Sequence, residues 1–220
     1  HYVVEGRHNY SPDGGIPEGH VAYYPEGTYY GPQQGEGGLL LGLQMGGASQ
    51  SGFMAYDDLR RGSDELAELG EFDDGTYRDV DETGSPRNRD GYEAVWEHVR
   101  GRPIEYPAAR YHQPIVMDVS AFSWVDDLEH PGVSHKHLIT LSERRLEVGF
   151  TRLEPGAELP LGRLAGGRVA FVLDGPLLCN GGTHERRTAF HFDSGDEVHW
   201  AAAEEPAEIY HVDLPRFPTG

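Results

Sequence analysis

The sequence predicts a mostly β fold of two tandem barrels joined by a short helical connecting segment. Three observations predict it. Thirty glycines and 15 prolines make up about a fifth of the 220 residues, against roughly 12% in an average chain, too many breakers for a helical bundle. Short apolar runs recur between turn residues at both ends of the chain, as half-buried strands require. A strand–turn–strand pattern near the N-terminus returns near the C-terminus, the mark of a repeated unit.

Residues 1–47 read as the first barrel. His1-Tyr-Val-Val-Glu5 is a β-rich run ended by Gly6. Gly19 to Tyr30 reads as a strand, a Pro25/Gly27 turn and a second strand. Leu39 to Met45 is another short apolar run. Residues 48–125 read as the connecting segment, with two short helices. In the first, Ser63 is positioned to cap, Asp64 and Glu65 suit the positive end of the helix dipole, and Gly70 stops it. In the second, Asp90 caps and Glu93 stands three residues on, as in a capping box. Tyr92, Val95, Trp96 and Val99 then fall on one helical face, which must dock on something. Gly101 and Pro103 end it. The acidic run from Asp73-Asp74 to Asp81-Glu82 lacks calcium-loop spacing and reads as solvated surface.

Residues 126–220 read as the second barrel. From Arg145 to Leu153, residues Leu146, Val148, Phe150 and Arg152 share one face. Pro155-Gly156 is a turn. Val169 to Leu173 is apolar throughout, as a strand buried on both faces would be. His191 to Trp200 and Ile209 to Leu214 supply further strands.

Composition narrows function. Eighteen basic against 37 acidic residues give a formal net charge of −19. That balance repels phosphate backbones and disfavours nucleic acid and anionic membranes as partners. Lys136 is the one lysine, and Cys179, the one cysteine, excludes an intrachain disulfide. No apolar stretch approaches the roughly 20 residues of a membrane span. No charged-then-apolar leader opens the chain, so the expected compartment is cytoplasmic. No Gly-x-Ser-x-Gly elbow, phosphate loop or dinucleotide fingerprint occurs.

The two strand zones share a frame. Tyr2-Val-Val-Glu-Gly6 matches Phe171-Val-Leu-Asp-Gly175. Gly19-x5-Pro25-x-Gly27-x2-Tyr30 resembles the second signature of the cupin superfamily, G-x5-P-x-G-x2-H. The run ending in Gly6 resembles the tail of the first signature, G-x5-H-x-H-x3–4-E-x6-G. Gly156, Gly175 and Gly195 set the same frame in the second zone, with Ala201 and Ala203 in place of proline and glycine. The chain therefore resembles a two-domain bicupin. The resemblance implies two double-stranded β-helix (jelly-roll) barrels, a small-molecule ligand or substrate, and a homodimer.

Metal-binding members of that superfamily hold a divalent ion with three His and one Glu, donors that suit iron, manganese, zinc or nickel. In the second barrel the corresponding slots fall on Gly162, Leu164, Arg168 and Pro206. None is a ligand, so no metal is expected there. In the first barrel the last His slot is Tyr30 and the Glu slot would precede His1, which points to upstream sequence. A divalent metal in the first barrel stays open, with oxygenase or isomerase chemistry as the function it would imply.

Four residues stand out as ligand-facing candidates. His1 should share the face of the missing Glu slot, and Tyr30 is a phenol in a ligand slot. Tyr23, Tyr24, Tyr29 and Tyr30 form an aromatic set whose alternate members would face inward. Arg168 either points inward, needing a protein carboxylate first or a ligand anion second, or slips one residue to face outward. His211 on the last strand could point inward as a hydrogen-bonded core histidine. His135 and His137 have ligand spacing but lie on the wrong strand for a cupin site, and read as solvated histidines beside Lys136.

Overall fold

The computed structural model describes residues 1–31, 35–45, 53–81, 83–141 and 145–214. The chain divides into two compact units, one spanning His1–Val116 and the other beginning at Met117.

The N-terminal unit opens with β1 (Tyr2–Asn9), β2 (Gly15–Pro17), β3 (His20–Tyr23) and β4 (Gly35–Leu41). Helix α1 (Tyr56–Ala67) follows, then β5 (Glu71–Asp73), β6 (Thr76–Val80), β7 (Pro86–Asp90), α2 (Gly91–Arg100) and β8 (Ile115–Asp118). One sheet runs β2-β1-β3-β8, with β4 on the other side of β1. Val3, Ile16 and Ala22 form its core, with Tyr10, Tyr24 and Leu40 packed against them. The strand expected between the Pro25/Gly27 turn and Tyr30 is not formed; Thr28 to Tyr30 is irregular, and Thr28 is tied by its hydroxyl to the Tyr111 carbonyl at 2.9 Å.

The helices join a second sheet, β5-β6-β7. Its first hairpin turns on Asp74 (φ 45°) and Gly75 (φ 76°), the Asp-Gly pair that left-handed two-residue turns favour. The acidic run thus forms a hairpin whose Asp73 and Asp74 are exposed, as solvated surface; Glu82 lies outside the described residues. Helix α2 starts as the sequence predicts: the Asp90 carboxylate accepts from the Glu93 N–H, and Gly101 ends the helix at φ 66°. Helix α1 begins seven residues before the expected cap. Ser63 lies inside it and donates to the Leu59 carbonyl, a bond to the preceding turn that a helix interior tolerates. The apolar stripe of α2 docks within this module, where Val95 and Trp96 are buried with Met54, Leu66 and Tyr77.

The C-terminal unit holds a 3-10 turn at Val119–Ala121, then β9 (Val125–Asp126), β10 (Val133–Leu141), β11 (Leu146–Leu153), β12 (Glu158–Arg163) and β13 (Arg168–Asp174). It continues with β14 (Leu177–Cys179), β15 (Gly182–His184), β16 (Ala189–Phe192), β17 (Glu197–Ala201) and β18 (Ala207–Asp213). Two sheets form the barrel: β16-β13-β18-β11-β10-β9 and β12-β17-β14-β15. The expected strand from His191 to Trp200 is in fact two, β16 and β17, one in each sheet. The break is a turn at Asp193–Asp196, where the Asp196 carboxylate accepts from the Asp193 N–H. Between the sheets lies an apolar core containing Val133, Leu153, Ala170, Val172, Trp200 and Ile209.

The repeat read from the sequence is present in the strand pairing. Tyr2↔Val21 between β1 and β3 returns as Phe171↔Ala189 between β13 and β16. Tyr2↔Leu41, Val3↔Leu40 and Glu5↔Leu39 return as Phe171↔Tyr210, Val172↔Ile209 and Asp174↔Glu208. Even the bulge repeats, between Val3 and Glu5 in one unit and between Val172 and Asp174 in the other. Each bulge is followed by a left-handed glycine, Gly6 (φ 82°) and Gly175 (φ 68°).

The same comparison corrects one alignment. Gly19 (φ 73°) and Gly27 (φ 74°) correspond in pairing and spacing to Arg187 (φ 72°) and Gly195 (φ 95°). Gly195 is thus the second turn glycine, not the first. Arg187 occupies the first position in a left-handed conformation that non-glycine residues seldom adopt, which is why the sequence hid it. The last slot of the motif therefore falls on Val198, not Pro206.

Candidate functional site

The inner face of the larger C-terminal sheet is set by register. Arg168, Ala170 and Val172 on β13 lie opposite Asp213, His211 and Ile209 on β18. Since Ala170, Val172 and Ile209 belong to the core, Arg168, His211 and Asp213 share the inward face. Of the two phases left open for Arg168, the register gives the inward one. On β11 the inward residues are Glu147, Gly149, Thr151 and Leu153, opposite Asp213, His211, Ile209 and Ala207. On β10 they include Val133, His135 and His137, opposite Leu153, Thr151 and Gly149. The face grades from buried Val133 and Leu153 to exposed His137, Thr140 and Glu147.

Arg168 is used internally. Its Nε and Nη2 donate to the two carboxylate oxygens of Asp213, the second bond at 3.0 Å, and its guanidinium lies over the Trp200 ring, 5.5 Å from the centroid. The protein carboxylate thus takes the role that a ligand anion was the second candidate for. His211 is inward and 14% exposed. Its ring rests over Gly149, where an added Cβ would lie 3.3 Å from His211 Cε1. Burial, then the Arg168 charge, pushes its pKa down to about 3.

Of the two histidines read as solvated, His137 is exposed, while His135 is 38% exposed and tied into a hydrogen-bonded chain. His135 contacts the Asp127 carboxylate through Nε2 at 3.0 Å and the Thr151 hydroxyl through Nδ1 at 3.1 Å. Thr151, only 1% exposed, also meets His211 Nε2 at 3.2 Å. His137 Nε2 meets the Thr140 hydroxyl at 2.9 Å. Between them Lys136 points to the other face, 7% exposed, donating to the Val119 carbonyl at 3.0 Å and lying 4.8 Å from the Trp124 ring centroid. Neither Asp127 nor Thr151 carries a motif that sequence reasoning could have used; only register brings them to His135.

In the N-terminal unit His1 and Tyr30 are brought together through Tyr24. The His1 and Tyr24 ring centroids are 4.8 Å apart, and those of Tyr24 and Tyr30 also 4.8 Å. Tyr23 and Tyr29 are not part of this stack, and Tyr29 is largely exposed. His8, not singled out by the sequence, completes the cluster with its ring 5.6 Å from His1 in an edge-on arrangement. The bulge between Val3 and Glu5, which puts one extra residue on β1, returns it to the side of His1. His1 Nδ1 and His8 Nε2 are buried with no hydrogen-bond partner among the described residues. Burial lowers the His8 pKa and, with Asp90, raises that of Tyr30.

His1 immediately precedes Tyr2, as Ala170 precedes Phe171, and its ring fills the space over Gly42. Ala170 lies opposite His211. Each unit therefore sets one imidazole at the same cross-strand place, from β1 in one and from β18 in the other.

The metal slots of the second barrel hold Gly162, Leu164, Arg168 and Val198, with Leu164 and Val198 packed in the core. They offer no donor, and the guanidinium is cationic, so these residues do not fit the ion. In the first unit Tyr30 occupies the last slot, and the residues present supply two imidazoles and phenols rather than three His and one Glu. Among the described residues no three His, Cys, Asp or Glu side chains converge on a common point. Among the described residues, surface hollows of about 340 and 360 Å³ lie on the polar face of α1 and beside Asp126–Ser134; the second is lined by Asp127 and Val133, and neither is lined by His135, Thr151, Arg168, His211 or the His1, His8, Tyr24 and Tyr30 cluster.

No protein-family model matches this chain, and no curated protein matches it. Among solved structures, a proposed dioxygenase from Nostoc punctiforme superposes with a TM-score of 0.56 at 12% identity, over 99% of this chain and 63% of its own length. An acetylacetone dioxygenase from Acinetobacter johnsonii (TM-score 0.41, 15% identity) matches 50% of this chain and 76% of its own. An RmlC-like cupin protein from Ralstonia eutropha (TM-score 0.41, 10% identity) matches 44% and 66%. At these identities the likeness is one of fold. The two curled sheets, the repeated bulge-and-glycine turns and the full-length superposition lead to one assignment: this chain has the fold of the cupin superfamily.

Proposed function

We propose that this protein is a bicupin-like, cytoplasmic small-molecule-binding protein whose ligand site lies in the N-terminal unit, among His1, His8, Tyr24 and Tyr30. One observation carries the reading. Two imidazole nitrogens, His1 Nδ1 and His8 Nε2, are removed from water without a partner, and a buried polar atom left unsatisfied costs about 1–3 kcal/mol. A ligand with oxygen or nitrogen functions repays that cost, and the rings of Tyr24 and Tyr30 supply flat apolar walls. The C-terminal barrel, on this reading, keeps the fold without the usual cupin metal. The cupin neighbours that act on small organic molecules lend support to the class of ligand only. A homodimer remains part of the proposal by resemblance.

Thermal-shift screening against small oxygenated organic compounds and carboxylates tests it. A stabilising compound should lose its effect in His8→Ala and Tyr30→Phe and retain it in Arg168→Ala. Hits indifferent to His8 and Tyr30 would place the ligand elsewhere.

A second reading rests on the same two imidazoles. It is a metal-dependent oxygenase or isomerase with iron, manganese, zinc or nickel in the N-terminal unit. It requires further ligands beyond the described residues, and metal analysis separates it from the first.

A further inference from the structure

The C-terminal barrel contains a hydrogen-bonded chain that neither the fold nor the N-terminal site requires. It runs Asp127–His135–Thr151–His211, across three adjacent strands and the loop before β10, with contacts of 3.0, 3.1 and 3.2 Å. Its direction follows from one charge. Asp127 also accepts from the Glu129 and His130 N–H groups and is held ionised, well below the usual carboxylate range, by the Glu129 bond first and by His135 next. An ionised carboxylate only accepts. His135 must therefore donate from Nε2, which leaves its Nδ1 a lone pair that accepts from the Thr151 hydroxyl. The Thr151 oxygen then accepts from His211 Nε2–H. By elimination His211 Nδ1 carries a lone pair, and that atom is buried with no hydrogen-bond partner among the described residues.

The groups facing His211 come from every strand packed against it. Arg168 on β13 and Asp213 on its own strand lie on one side, with Asp213 Oδ2 3.9 Å from Nδ1. Thr151 on β11 and His135 and His137 on β10 lie on the other, and the Trp200 ring on β17 is 6.2 Å away. Beyond them the inner face opens at exposed His137, Thr140 and Glu147.

We propose that this inner face is an acid–base site, in which His211 Nδ1 takes a proton from a small hydroxylic ligand and the relay carries the charge to His135. The transfer balances. The ligand O–H gives its proton to His211 Nδ1; His211 Nε2–H passes its proton to the Thr151 oxygen; the Thr151 hydroxyl proton passes to His135 Nδ1. The products are an oxyanion at His211 Nδ1, beside the mutually neutralised Arg168–Asp213 pair, and an imidazolium at His135 against ionised Asp127. His211 stays neutral in its other tautomer, so the cation is never left beside Arg168.

Two experiments on the full chain test this. Imidazole ¹⁵N NMR at neutral pH should find both His135 and His211 as Nε2–H tautomers. A His211 found as Nδ1–H would overturn the proposal. With p-nitrophenol as the probe, at a pH where it is mostly undissociated, adding protein should raise phenolate absorbance. Thr151→Val should reduce that rise at least tenfold, and Thr151→Ser, which keeps the hydroxyl, should restore it. No rise with the wild type, or an equal rise in Thr151→Val, would likewise overturn it. The tautomer readout and the Thr151→Val comparison do not depend on His1, His8 or Tyr30, so failure there leaves the N-terminal site standing.

Discussion

His211 lies between two small residues, Gly149 and Ala170, and that choice of neighbours makes room for a neutral imidazole on an otherwise apolar strand. The linkage has a definite sign. Its folded pKa, about 3, lies below the ordinary value of 6.5, so the unfolded chain binds more protons between those values. Its contribution is complete above pH 6.5 and is lost as pH falls towards 3. Thermal unfolding should therefore drop as pH is lowered from 7 to 5, at up to about 1.4 kcal/mol per pH unit below 6.5. In His211→Asn the slope over that window should flatten. An unchanged slope would mean that His211 is not held neutral. Asp127 acts in a lower window: its depressed pKa contributes above the carboxylate range and is lost only as pH falls below about 3.8. For Arg168 the pair is the prediction. Arg168→Ala leaves the Asp213 carboxylate, 30% exposed, without its partner, and should cost about 2 kcal/mol after allowing for solvent. Adding Asp213→Asn should recover part of that loss in chemical denaturation. At this scale the sequence was legible where a motif slot marked a position, as for Arg168, His1 and Tyr30. His8, Asp127 and Thr151 were not legible, because nothing in their local sequence announces which strand they will meet.

Elements were legible wherever glycine or a cap fixes the backbone. Asp90, Glu93 and Gly101 bounded α2 to the residue. Replacing Asp90 with Ala should lower stability by about 1 kcal/mol, read in the helical circular dichroism during thermal melting. Gly175 ends β13, but Gly6, expected to end the first run, lies inside β1, which passes through it at positive φ after the bulge and continues to Asn9. A Cβ on Gly175 would run into the Pro206 carbonyl oxygen, and one on Gly6 would lie 2.6 Å from the Gly37 carbonyl oxygen. Gly175→Ala should therefore cost about 2–4 kcal/mol by denaturant titration, and a loss under 1 kcal/mol would deny the close approach. The misread elements have physical reasons as well. The sheet β5-β6-β7 was hidden because its residues are mostly charged and its exposed faces leave no apolar alternation. It is held by ion pairs such as Arg87–Asp79 at 2.7 Å and Arg89–Asp79 at 2.9 Å. The Arg187 turn was hidden because a left-handed residue was expected to be glycine.

At the scale of the whole chain, composition gave the mostly β class and the strand pairing gives the repeat. The matched registers of β3-β1-β4 and β16-β13-β18 are a stronger sign of duplication than the sequence motifs, because one slipped residue would turn every side chain to the opposite face. Within that shared frame the two units differ where the superfamily's ligands would be. One has Tyr30 near two imidazoles, each with one buried nitrogen that has no hydrogen-bond partner among the described residues, and the other has Val198, Leu164 and an arginine committed to Asp213. No helix among the described residues is long and apolar enough to cross a membrane. The central claim is a cupin fold that presents imidazoles and tyrosines to an organic ligand in place of the metal set. Elemental analysis of the purified full-length protein tests it most directly. The account predicts iron, manganese, zinc and nickel far below one ion per chain; about one tightly held ion per chain, lost in His8→Ala, would contradict it.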